Sequence, residues 1–428
     1  MKPFVRLVRK VTSLTTSLFS LLLTMPWWLW LVGMVVGSVL LAIGWWLHWD
    51  VDLVSPITEQ STFRFLTGRE TPASSGKVVY GFLPYWNTNS VTIQPEMTTL
   101  GYFALDIAAD GSIRTRDADG NAEPGYNRLG NDRWFEIFEE HVGDVDTVGV
   151  SGAPKKNVEL VFTQFSNDDI AAFVTSKPAQ KKFITALDNL LLAYPVSGVN
   201  IDIEYSGPVT DPLRNGLTSF MADLHKHLDE TYEDVSLSID MYAGAGTTYT
   251  IWDIAALEPH ADYFVVMAYD FHRRQSIVAG PVAPLFGGKE YWDSDISVHL
   301  QGFLKHIPRE KILLGVPFYG YEWKTTSRNA QAHTFPDTGS TATYKRVQEV
   351  LSRADELEVQ EHWNEAALSP YISYKEDGDI FVIYYENSRS LSYKLDFVNQ
   401  LDLGGIAIWA LGYEGDSREL WEVIGRKL

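Results

Sequence analysis

The stretch SGVNIDIEYSG, Ser197 to Gly207, alternates apolar and polar residues. In an extended strand, side chains two positions apart share a face. Asn200, Asp202 and Glu204 therefore lie on one side, with Val199, Ile201 and Ile203 on the other. Neighbouring acids on that face stand roughly 6.5–7 Å apart along the chain. Two carboxylates and an amide in a row can hold and deliver a proton, provided the face lines a site rather than meeting solvent. Further candidates lie elsewhere: Met267, Tyr269 and Asp270 in VVMAYDF, Tyr85 and Trp86 after VVYGFLP, Asp240 and Tyr242 on one face of VSLSIDMY, Tyr319, and Trp409. Asp106 closes the second run, where a helix cap or loop hydrogen bond is at least as well supported as a place in the pocket. His272, Arg273 and Arg274 could meet a charged part of a ligand, but a solvated loop is the favoured reading. The ten histidines show no H-E-x-x-H spacing, and there is no cysteine. Neither a metal nor a cofactor is implied, and thiol chemistry is excluded. No G-x-S-x-G or phosphate-binding loop pattern occurs.

The elements that would position these side chains recur from Lys77 onward. Eight β-rich runs are found: 77–83, 99–105, 158–165, 198–204, 235–242, 263–269, 312–319 and 404–411. Most are separated by stretches of helical periodicity, such as DDIAAFVTSKPAQKKFITALDNLLLAY and PLRNGLTSFMADLHKHLDETY. Strand–helix alternation implies parallel strands, and eight such units fit a (β/α)8 TIM barrel. A doubly wound sheet competes, but it usually carries a Gly-rich phosphate turn, and GAGTT at Gly244 is too weak to serve. About 320–399 interrupts the last unit as a small α+β insertion. It contains PYISYKEDGDIFVIYYE, a hairpin pattern turning at Asp377-Gly378, and it would wall one side of the barrel mouth. In such a barrel the carboxyl ends of the strands carry the site, which places Asp202 and Glu204 at the mouth.

The chain has 428 residues, 45% apolar and 21% charged, a globular composition. Its net charge is -20, and residues 1–49 carry +4, which leaves -24 on the remainder. A body that acidic repels nucleic acid. Residues 1–25 read as a basic, cytoplasmic, membrane-proximal segment and 26–48 as a single transmembrane anchor. The run Pro26–Leu47 reaches roughly 30 Å as a helix, the thickness of a bilayer core. Tryptophans 27, 28 and 30 lie at one end and 45, 46 and 49 at the other, the pattern of interfacial belts. Ala42-Ile43-Gly44 weakly resembles a cleavage site, yet the run exceeds the roughly 7–15 residues of a signal core. The basic end would stay cytoplasmic, and the domain after a 49–76 linker would be extracytoplasmic. Gly33 and Gly37 form a small-xxx-small pair compatible with weak dimerisation.

These motifs together resemble family 18 glycoside hydrolases, the chitinase-like family, over about Lys77 to Leu428. The family's catalytic strand reads D-G-x-D-x-D-x-E. Here Ser197, Gly198, Asn200, Asp202 and Glu204 occupy its positions. VVYGFLPYW resembles the first strand, Met267-x-Tyr269-Asp270 the M-x-Y-D signature, LLGVPFYG the seventh strand, and GGIAIWALGYEG the last, with Trp409 at the floor tryptophan. Two departures stand out: Ser197 for the first Asp and Asn200 for the middle one. Asn at the middle position resembles spore-cortex and peptidoglycan glucosaminidases. It would remove a like charge from beside Asp202.

The resemblance implies hydrolysis of glycans that contain N-acetylglucosamine (chitin, chitooligosaccharide or peptidoglycan) with the substrate's own acetamido group as nucleophile. It implies Glu204 as general acid and then base, Asp202 as orienter of the acetamide, and Tyr269 as hydrogen-bond donor to its carbonyl. Asp270 would bind a sugar hydroxyl, and Trp409 would stack beneath the ring. Two other classes fit the same residues: a sugar-binding barrel that has lost catalysis, and a structural envelope protein that uses the barrel as a scaffold.

Overall fold

The structure is a computed structural model that describes residues 76–117, 119–143 and 156–428. The expected anchor, the expected linker before Gly76 and the Gly33/Gly37 pair lie outside the described residues. Among the described residues no helix is long and apolar enough to cross a membrane.

Eight parallel strands close a barrel: β1 (Val78–Pro84), β2 (Thr99–Asp106), β3 (Asn157–Gln164), β4 (Gly198–Ile203), β5 (Ser236–Tyr242), β6 (Tyr263–Met267), β7 (Ile312–Pro317) and β13 (Gly405–Trp409). They correspond to the eight runs seen in the sequence. β13 sits between β7 and β1 and completes the ring.

The helical layer is explained by the spacing of its apolar residues. The helix Asp211–Thr231 buries Leu213, Leu217, Phe220, Met221, Leu224 and Leu228, a stripe three, four or one residue apart. Phe162, on the outward face of β3, meets Phe183 edge-on at 5.2 Å, and Phe173 meets Phe220 at 4.9 Å. Aromatic edge contacts of this kind add about 0.5–1.5 kcal/mol each beyond area burial. The long helical pattern after β3 is two helices, Asn167–Val174 and Lys177–Ala193. Ser176 caps the second by accepting from Ala179 N, and Pro178 falls in its first turn, where its missing N–H costs nothing.

The barrel interior is divided. Tyr80, Phe82, Phe103, Val161, Val265, Leu313 and Ala407 form an apolar cluster. The β3–β5 side is polar: Glu159, Asn200, Asp202, Ser238 and Asp240 are all buried. Gly198 makes this possible. A Cβ there would lie 2.3 Å from Ser236 Oγ and 2.6 Å from Glu159 Cγ. Without that atom, Glu159 reaches across β4 and accepts hydrogen bonds from Ser236 and Ser238 of β5, both at 2.7 Å.

The insertion is a five-stranded antiparallel sheet in the order β10-β11-β12-β8-β9. Its strands are β8 (Tyr319–Thr325), β9 (Ser340–Thr343), β10 (Gln360–Asn364), β11 (Ser369–Glu376) and β12 (Asp379–Tyr384). β11 and β12 pair through Glu376 and Asp379 across the Asp377-Gly378 turn. Both turn residues have positive φ, 53° and 84°, as a two-residue hairpin requires. The module ends earlier than the sequence pattern suggested. The helix Ser388–Gln400, opened by a capping box at Asn387 and Ser390, packs on the C-terminal helix Glu419–Lys427 and belongs to the barrel layer.

Candidate active site

Every strand of the barrel ends at one mouth, and a cavity of about 370 Å³ opens there. Asp202, Glu204, Asp240, Tyr242, Met267, Tyr269, Asp270, Tyr319, Trp409 and Trp86 line it, together with Phe103, Phe165 and Arg273. β4 supplies the acids because its alternation turns Asp202 inward, while Val199, Ile201 and Ile203 are buried on the opposite face. Glu204 follows the strand and stays tied to the sheet through its backbone N–H, which donates to Gln164 O at 3.0 Å.

The acids share a setting that disfavours ionisation. Burial raises the Glu204 carboxyl above its ordinary range, and the charge of Asp270 adds to this; Tyr242 and Arg273 pull the other way. Burial pushes Asp202 well up, reinforced by Glu204 and Asp240. Asp240 is raised by burial despite a hydrogen bond from Asn200. Replacing the middle Asp by Asn200 therefore does not free Asp202 of like charge, as the sequence alone suggested, because Asp240 supplies it from β5.

Asp270 sits at φ 63°, a backbone region that few residues except glycine, Asn and Asp enter readily. Its Oδ1 accepts from Tyr321 at 2.9 Å and from Tyr319, both on the first strand of the inserted sheet. The insertion thus walls the mouth and grips one of its acids. Next to β7, Trp409 packs edge-on against Phe103 at 4.6 Å, and Phe103 against Trp86 at 6.2 Å. This leaves an apolar floor beside the acids. Such a pairing of a flat apolar face with convergent polar groups suits a sugar ring.

Two of the sequence candidates stand apart from the cavity lining. Asn200 lies beneath it, fully buried, and donates its amide to Ser238 Oγ and Asp240 Oδ1, both at 2.8 Å. Tyr85 occupies a short turn with Trp86, and consecutive residues there diverge: Trp86 faces the cavity, while the Tyr85 ring stands edge-on to it at 4.9 Å. Arg273, read from sequence as loop, reaches the mouth, its Nε donating to Asp270 O at 3.0 Å. Phe103 and Phe165 gave no separate signal, because apolar residues in or beside β-strands read as core. Phe165 is half exposed, which only the assembled mouth explains.

The model of glycosyl hydrolases family 18 matches residues 154–414, most of the chain. The chain belongs to that family. An uncharacterized glycosylase of Bacillus subtilis, YvbX, is 25% identical over 341 residues, covering 76% of this chain and 90% of its own. A family 18 chitinase mutant from Cycas revoluta, solved in complex with (GlcNAc)4, superposes with a TM-score of 0.67 at 18% identity over 82% of this chain and 99% of that one. The spore cortex-lytic enzyme SleL of Bacillus megaterium gives 0.62 at 19% identity, over 82% and 74%.

Proposed function

We propose that this chain hydrolyses β-1,4 linkages in glycans containing N-acetylglucosamine, by substrate-assisted retaining catalysis. The observation that carries the reading is one shared cavity: Glu204 with its proton favoured by burial, Asp202 and Tyr269 beside it, and Trp409 as the apolar floor. Glu204 protonates the leaving oxygen. The acetamido oxygen attacks the anomeric carbon, and the resulting ring is opened by water that Glu204, now a carboxylate, deprotonates. Asp202 orients the acetamide N–H, and Tyr269, half-buried and with its hydroxyl pushed well above its ordinary range by desolvation, remains a donor to the acetamide carbonyl. Asp270 binds a sugar hydroxyl.

The test incubates the full chain with N-acetylglucosamine oligomers, with peptidoglycan glycan strands and with cello-oligomers. Cleavage of the first two classes alone is expected. Binding without cleavage by wild-type protein would make the chain a sugar-binding barrel instead.

The apolar run Pro26–Leu47, with tryptophans at both ends, supports a membrane-anchored form with the barrel on the extracytoplasmic side. Expressed in a bacterial host, the full chain should resist extraction by alkaline carbonate, and its barrel should be cleaved by protease added outside the membrane. Release by carbonate would overturn the anchor.

A further inference from the structure

We infer that Asp240, clamped by Asn200, is a positioning residue for Asp202: the two acids, on adjacent strands, share a single proton. β4 and β5 pair in register, Asn200 opposite Ser238 and Ile201 opposite Ile239. The ladder ends there; the same register continued by one residue would bring Asp202 opposite Asp240. Laterally paired residues on neighbouring strands lie about 4.8 Å apart at the backbone. Both side chains are buried and both line the cavity.

Their hydrogen bonding is unequal. Asp240 Oδ1 receives the Asn200 amide at 2.8 Å. Asp202 Oδ1 is buried with no hydrogen-bond partner. Two buried carboxylates that line one cavity and act on each other as like charges do not readily both ionise, and the one receiving an N–H is the better anion. Asp202 is then the protonated member and Asp240 the charged one. The motif's missing β4 acid is thus replaced from the next strand, and Asn200 holds the replacement in place.

The groups that face the pair belong to several elements. Glu159 of β3 lies below, and Glu204 stands beside it at the end of β4. Tyr242 comes from β5 and Tyr269 from the end of β6. Arg273 supplies positive charge at the rim. The nearest acids are thus unbalanced by any cation lining the cavity other than Arg273, which is why removing one charge must be felt by the rest.

The inference rests on Asp202 acting in the proposed reaction, but its test reads Asp202 directly. In full chain carrying carbon-13 aspartate carboxyls, with Asp202→Asn used to assign the signal, Asp202 titrates by NMR. Asp240→Asn removes the neighbouring charge while keeping the shape, and the Asp202 midpoint should fall by about one pH unit or more. Asn200→Asp adds a third acid and should raise it. The double variant Asn200→Asp/Asp240→Asn puts a carboxylate back on β4 and should bring the midpoint back toward wild type. Where the chain cleaves glycan, Asp240→Asn should lower kcat about tenfold with its alkaline limb moved to lower pH, and the double variant should recover both. An Asp202 midpoint unmoved in Asp240→Asn, or in Asn200→Asp should the first fail to fold, overturns the inference. A wild-type chain that cleaves no glycan defeats the proposed function instead, and the titration still decides this one.

Discussion

The Tyr321 hydroxyl donates to Asp270 Oδ1 at 2.9 Å, a bond that joins the inserted sheet to the barrel mouth. Asp270 is held from two sides, since Tyr319 donates to the same oxygen. The insertion therefore helps set the geometry of an acid at the end of β6. Hydrogen bonds to charged groups contribute about 1.5–3 kcal/mol. Tyr321→Phe should lower kcat/KM roughly 10–100-fold, in line with that range, with a fall of a few degrees in the thermal midpoint and an unchanged circular dichroism spectrum. Wild-type kcat/KM in Tyr321→Phe would show that Asp270 needs no support from the insertion.

Glu204→Gln keeps the shape of the side chain and removes the proton to be transferred. Loss of a positioned acid costs about 10²–10⁴ in rate. The variant should lose at least about a hundredfold in kcat while its circular dichroism and substrate affinity stay close to wild type. Undiminished turnover would remove Glu204 from the role of acid.

Trp409 lines the cavity, with Phe103 and Phe82 packed against it at 4.6 and 5.9 Å. Trp409→Ala should weaken oligosaccharide binding about 10–100-fold, which corresponds to roughly 1.4–2.8 kcal/mol. Isothermal titration with the Glu204→Gln protein as host measures this without turnover. Equal affinity in the two backgrounds would place the sugar elsewhere.

Stability should respond to pH through the buried acids. Burial raises Asp202 and Asp240, and it pushes Glu159 up to about 7 from an ordinary 4.5. A carboxyl whose folded-state pKa is raised binds its proton more tightly in the native chain. Its stabilisation is full below the ordinary value and is lost as pH rises through the raised one. At about 1.4 kcal/mol per pH unit, Glu159 alone forfeits about 3 kcal/mol between pH 4.5 and 7. Thermal unfolding should therefore occur at higher temperature at pH 5 than at pH 8, and Glu159→Gln should flatten the difference. A midpoint that rises from pH 5 to 8 would contradict the arrangement.

Much of the barrel is visible in the amino-acid order because its signals are local. The two-residue period of GVNIDIE turns Asp202 inward, and the apolar runs fall where the strands are. Asp377-Gly378 marks its hairpin by backbone preference alone. The missing pieces depend on contacts distant in sequence. Asn200 meets Asp240 through the β4–β5 register, which no single strand encodes. Phe103 and Phe165 look like core until the mouth is assembled. Arg273 looks like a solvated loop until Asp270 turns at positive φ and places the loop over the cavity. The helix break at Ser176 was written locally, in a serine cap followed by Pro178, but it was masked by apolar periodicity continuing on both sides.

The most direct test is hydrolysis by the wild-type chain of two matched oligomers, one fully N-acetylated and one bearing free amines, with the product anomer read by proton NMR in the first minutes. Cleavage of the acetylated oligomer only, with release of the β-anomer, is expected. Equal cleavage of both, or release of the α-anomer, would contradict the proposed mechanism.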